Sequence, residues 1–114
     1  MPHSDKTAAV LRFLGLAARA RRTVFGIELI STALSRGAKD KTPLVILEAL
    51  DSSENTHKRI TDRATHYGVP HYRLSVDGAR LALATGKRDG VLMAVGVTEP
   101  HIASAIVALF EEDN

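Results

Sequence analysis

The chain of 114 residues has no cysteine and no tryptophan, and only three phenylalanines and two tyrosines. Without cysteine there are no disulfides, no thiolate chemistry and no cysteine-based zinc site. A chain of this length buries a core without such staples. So few aromatics argue against a binding mode built on stacked bases. Long apolar runs are missing too, and none approaches the roughly 20 residues of a membrane-spanning helix. Residues Met1 to Lys6 are polar, and the apolar stretch that follows is broken by Arg12, Arg19, Arg21 and Arg22. A signal peptide needs that stretch unbroken. The expectation is one cytoplasmic domain over residues 1–114, with no membrane partner and with 1–6 and 111–114 as flexible ends.

Catalytic patterns are also lacking. Of the five histidines, His3, His57, His66, His71 and His101, none falls in a His-Glu-x-x-His pattern. The expected fold allows His57, His66 and His71 to approach one another, but structural or surface histidines are far commoner. No serine lies in Gly-x-Ser-x-Gly. Gly86-Lys87-Arg88 looks like the end of a phosphate loop, yet Leu81 stands where a glycine is needed, and the segment precedes a strand instead of opening a helix. Asp51 and Glu54 suit helix capping better than acid–base work. The reading is therefore a protein that is not an enzyme, with no cofactor and no metal.

What the sequence does contain is alternation. Val10, Leu11, Leu14 and Ala18 recur at helical spacing and predict a helix over about 7–19. Thr23-Val24-Phe25 reads as a very short strand. A second helix is predicted from Ile27 to Arg36, closed by Gly37. Leu44 to Leu47 is apolar at every position, which suits a strand buried on both faces. Asp51-Ser52-Ser53-Glu54 resembles a capping box, opening a helix that ends at Tyr67-Gly68. Then come a strand over 69–74, a short helix capped by Ser75, a strand over 91–97, and a last helix capped by Thr98 with Pro100 in its first turn. Apolar strands between amphipathic helices predict an α/β fold: a single three-layer α/β/α sandwich around a mixed, mostly parallel four-stranded sheet.

Charge is unevenly spread. Residues 12–41 carry seven basic side chains against two acidic ones, on a chain whose formal net charge is only +2. Arg19, Arg21 and Arg22 come just before Gly26 and the second helix. Free N–H groups and a partial positive charge at a helix start attract phosphate, and arginine adds bidentate contacts. These features predict an anion-binding corner, extended by Lys87 and Arg88, that meets folded RNA through shape and backbone.

Leu14-Gly15-Leu16-Ala17-Ala18-Arg19-Ala20, Gly26 through Arg36-Gly37, Leu44-Val45-Ile46-Leu47, Asp51-Ser52-Ser53-Glu54-Asn55-Thr56 and Gly68-Val69-Pro70 together resemble the ribosomal L-seven-Ae/L-thirty-e family, in particular its small bacterial branch. The resemblance spans residues 10–109. It implies an α/β/α sandwich and binding to kink-turn or ribosomal RNA, with ribosomal and translation proteins as further partners. In the kink-turn binders the second helix opens with Gly-x-Asn-Glu-x-x-Lys and ends at Arg-Gly. Gly26, Arg36 and Gly37 match that pattern. Glu28, Leu29 and Thr32 stand at the Asn, Glu and Lys positions. The expected RNA-binding set is thus Arg19, Arg21, Arg22, Gly26, Glu28, Leu29, Thr32, Arg36, Lys87 and Arg88. A second reading is a protein-interaction module with an apolar rim of Phe25, Ile27 and Leu29, for which the exposure of Leu29 is the deciding feature.

Overall fold

The computed structural model describes residues 2–87 and 90–112. Its elements run α1 (Pro2–Arg19), β1 (Thr23–Phe25), α2 (Ile27–Arg36), β2 (Val45–Glu48), α3 (Glu54–Tyr67), β3 (His71–Arg73), α4 (Gly78–Ala84), β4 (Ala94–Val97) and α5 (Pro100–Glu111). The kinds of element and their order are those predicted. Helix α1 begins at Pro2, five residues before the predicted start at residue 7, and proline is well suited to a first helical position.

The four strands form one sheet in the order β1-β4-β2-β3. Side chains alternate across it and build two cores. Val45, Leu47, Val95 and Val97 pack with Val10, Leu14, Leu81 and Ile106 on the α1/α4/α5 side. Ile46 and Ala94 pack with Ile30, Leu34, Ile60 and Ala64 on the α2/α3 side. This is the expected three-layer sandwich.

The pairing sense differs from the expectation of a mostly parallel sheet. Only β2 and β3 pair in parallel, while β4 runs antiparallel to both β1 and β2. Apolar strands report burial on both faces, not direction. The cause lies in the short α4. Leu92 N–H donates to Gly78 O (2.9 Å), so the chain returns to the start of α4 and enters β4 at the end of the sheet where β3 finished.

The helix caps also shift from their predicted positions. Ser53, Asp77 and Glu99 cap α3, α4 and α5, each accepting a backbone N–H three residues on. Each predicted cap makes another bond instead. Asp51 accepts from Gly78 N–H (2.8 Å). Ser75 shares a hydrogen bond with Thr7 (3.1 Å), and Thr98 Oγ1 accepts from Arg22 Nε (3.1 Å).

Candidate functional site

The predicted basic corner divides into separate places. Strand β1 causes the division. Arg22 O accepts from Thr98 N–H and Gly26 N–H donates to Ala94 O, so the two residues sit at opposite ends of β4. Four extended residues separate them by about 13 Å. Arg21 and Arg22 therefore do not stand at the start of α2.

The first place is a groove of about 480 Å³ beside the C-terminal half of α2, lined by Arg21, Leu29, Thr32, Arg36, Asp40 and Lys41, with Thr98 at its side. It gathers four residues of the predicted set, Arg21, Leu29, Thr32 and Arg36, and adds Lys41. Three cations face one carboxylate there. The backbone contributes as well: among the described residues, Arg21 and Asp40 are the non-glycine positions with positive φ, 59° and 66°, and both line this groove. Side chains larger than glycine enter the left-handed region at a cost, and such residues cluster where function requires a particular aim.

Arg22 has a different role. Its Nε and a terminal nitrogen bond Thr98 Oγ1 and Thr98 O (3.1 and 2.9 Å) in a half-buried position. These bonds tie the end of α1 to the end of β4. Arg19 lies elsewhere again, lining a groove of about 510 Å³ between α1 and α4 with Arg12, Arg80, Leu16 and Leu83.

At the start of α2, Gly26 holds φ 87° without any side-chain cap. Glu28 lies in the first helical turn and pairs with Arg59 of α3 at 2.5 Å. This acid partly satisfies the positive helix end. Lys87 is exposed after α4, its N–H bonded to Ala82 O (2.9 Å). Arg88 lies outside the described residues.

The apolar rim is similarly reduced. Leu29 is 60% exposed, but Phe25 packs on the α1/α4/α5 core and Ile27 on the opposite one. They do not form one surface with Leu29.

At the other end of the sheet His57 and His71 do approach one another, with ring centroids 5.9 Å apart, around an acid that the sequence reading missed. Glu48 closes β2 and is fully buried. Its carboxylate accepts from Ser52 Oγ, meets His57 Nδ1 at 2.8 and 2.9 Å and meets His71 Nε2 at 2.7 Å. Burial favours the neutral acid, but the hydrogen bonds from Ser52, His57 and His71 outweigh it and hold this carboxyl below the usual glutamate range. His66 is not part of the cluster and packs edge-on against Tyr67. The available signal was Glu48 itself, a lone acid closing the apolar run Leu44 to Leu47.

Five helices and a mixed four-stranded sheet in this order make a three-layer α/β/α sandwich that solved structures share. Among solved structures, the 15.5kD RNA binding protein of Giardia lamblia matches with a TM-score of 0.79 at 13% identity, covering 95% of this chain and 89% of that one. A protein of unknown function from Bacillus halodurans matches with a TM-score of 0.78 at 26% identity, over 90% of this chain and 96% of that one. Among curated proteins, the RNA-binding protein YlxQ of Bacillus subtilis is 35% identical over 98 residues, 86% of this chain and 91% of that protein. The YlxQ of Enterococcus faecium is 38% identical over 64 residues, 56% of this chain and 58% of that protein. The chain belongs to the YlxQ family. No family model matches it.

Proposed function

We propose that the protein binds structured RNA, as a non-enzymatic ribosomal or ribosome-associated protein of the bacterial cytoplasm. The groove carrying Arg21, Arg36 and Lys41 is the observation that carries this reading. It offers separate cationic side chains along an open surface, which suits a phosphate backbone better than a small enclosed ligand. The YlxQ relatives are RNA-binding proteins by name, which supports the same reading.

Kink-turn RNA is the specific target to test first, with ribosomal RNA as the wider class. The recognition positions of kink-turn binders are changed here to Glu28, Leu29 and Thr32. Leu29 lines the same groove as Arg21 and Arg36, so the apolar side chain and the cations face one ligand. The test is titration into a kink-turn hairpin and into the same hairpin with its G·A pairs destroyed, at low and at physiological salt. Tighter binding to the intact kink-turn at physiological salt supports kink-turn recognition. Equal binding that fades with salt redirects the search to other structured RNA. No binding at low salt refutes RNA binding, and a protein partner for exposed Leu29 then becomes the leading reading.

A further inference from the structure

We propose that Glu48, His57 and His71 form a site for one transition-metal ion, zinc in particular, that ties β2, α3 and β3 together at one end of the sheet. The proposal does not depend on RNA binding.

The donor set is the first argument. Glu48 Oε1, His57 Nδ1 and His71 Nε2 converge from three different elements. The imidazole nitrogens lie 2.8 and 2.7 Å from that single oxygen, and all three ligand atoms fall within 4.8 Å of one another. Two imidazoles and a carboxylate are a ligand set that zinc uses with an open fourth position. Nitrogen ligands favour zinc, copper or nickel over magnesium and calcium. A tetrahedral ion with bonds of about 2.0–2.1 Å separates its ligands by about 3.3 Å. Glu48 Oε1 needs to draw back by about half an ångström from hydrogen-bond contact with each imidazole nitrogen to admit it.

The second argument is the shell around the ligands. Ser52 Oγ donates to Glu48 Oε2 and so orients the carboxylate, whose Oε1 meets both imidazoles, as outer partners of ligating carboxylates do. Arg73 approaches the same Oε2 only to 3.8 Å. Its terminal nitrogen is held by Leu50 O and Ser52 O (2.9 and 3.2 Å). The guanidinium is thus held by these carbonyls and does not bond Oε1, the oxygen that both imidazoles share. Access is the third argument. The Glu48 side chain is fully buried and that of His71 is 14% exposed, but that of His57 is 42% exposed. An ion enters past His57, and water supplies the fourth ligand. On binding, the proton that each imidazole presents to Glu48 moves to its other ring nitrogen or to solvent.

The experiment uses the untagged full chain, stripped with chelator and titrated with zinc chloride and separately with magnesium chloride, by calorimetry and by thermal unfolding. One equivalent of zinc should bind and raise the melting temperature, while magnesium should do neither. His57→Gln and His71→Gln retain hydrogen-bond donors toward Glu48 but replace the imidazole ligand. Each should fold and lose more than about tenfold in zinc affinity, the lower bound known even for outer-sphere partners. His66→Gln is the control and should bind as the parent does. No zinc binding by the parent chain overturns the proposal and leaves a hydrogen-bonded carboxylate only. Zinc binding that survives both His57→Gln and His71→Gln also overturns it.

Discussion

Arg21 lets function be separated from stability. It sits at φ 59°, where the extra cost over glycine is about 1–2 kcal/mol. Arg21→Gly removes this strain, partly offset by the greater freedom glycine gives the unfolded chain, about 0.5–1 kcal/mol. Arg36 occupies the last turn of α2, and Arg36→Gln gives up a favourable interaction with the helix end of about 0.3–1 kcal/mol. The two effects have opposite sign, so the double variant should melt within about 5 °C of the parent, given roughly 4 °C per kcal/mol at this size. Its RNA binding should change much more. If each arginine meets one phosphate, the slope of log affinity against log salt falls by about 0.9 per contact, about 1.8 together. Between about 50 and 200 mM salt, the parent's affinity advantage then shrinks by roughly tenfold.

The assay is fluorescence anisotropy with the kink-turn hairpin across that salt range, beside a thermal melt. An unchanged salt slope would refute the assignment of the groove to phosphate. Intact binding with a melting temperature many degrees lower would refute the reading of Arg21 as a strained, functionally aimed residue.

Three further outcomes follow from the geometry. Combining Glu28→Asn, Leu29→Glu and Thr32→Lys restores the kink-turn pattern at the start of α2 and should raise discrimination for the intact kink-turn at least about tenfold, roughly 1.4 kcal/mol; paired titrations that give the parent ratio would disprove it. Gly96→Ala places a Cβ 2.8 Å from the Pro43 ring, a rigid neighbour, and should lower stability by about 1–3 kcal/mol in urea unfolding; a neutral result would mean that β4 and Pro43 part easily. In metal-free protein the depressed Glu48 carboxyl contributes stability that is complete above the ordinary glutamate range and is lost as pH falls through its lowered value. Glu48→Gln should therefore flatten the acid side of the urea midpoint against pH, and an unaltered acid limb would contradict that.

The features legible in the sequence are those set by local chemistry. Gly37 and Gly68 end α2 and α3 in left-handed conformations, as glycine after an amphipathic run predicts. The apolar run at Leu44 to Leu47 marks β2, buried at every position from Val45. What failed depended on competition or on distance in space. Asp51 and Thr98 are sound cap residues, but the Gly78 N–H and Arg22 recruit their side-chain oxygens. Arg22 and Gly26 are close in sequence and apart in space, because the residues between them are extended. Glu48, His57 and His71 are far apart in sequence and meet only because β2 and β3 pair in parallel, with His71 opposite Ile46.

The division of the basic residues also bears on how this family member selects its ligand. A helix start supplies oriented N–H groups and positive potential, which fix a phosphate in place. Here that end of α2 carries Glu28, paired with Arg59, so a phosphate approaching it would meet a carboxylate. In the proposed groove Arg21, Arg36 and Lys41 gather instead near the C-terminal end of α2, where the helix potential is negative, and these side chains would supply the attraction for RNA. Binding by mobile side chains is more easily screened by salt than binding by fixed backbone donors, so Leu29, which salt does not screen, gains in relative weight as ionic strength rises. Leu29→Ala should thus weaken RNA binding by a similar factor at low and high salt, whereas Arg21→Gly should weaken it mainly at low salt. If the two variants showed the same salt dependence, Leu29 would not be part of the RNA-facing groove.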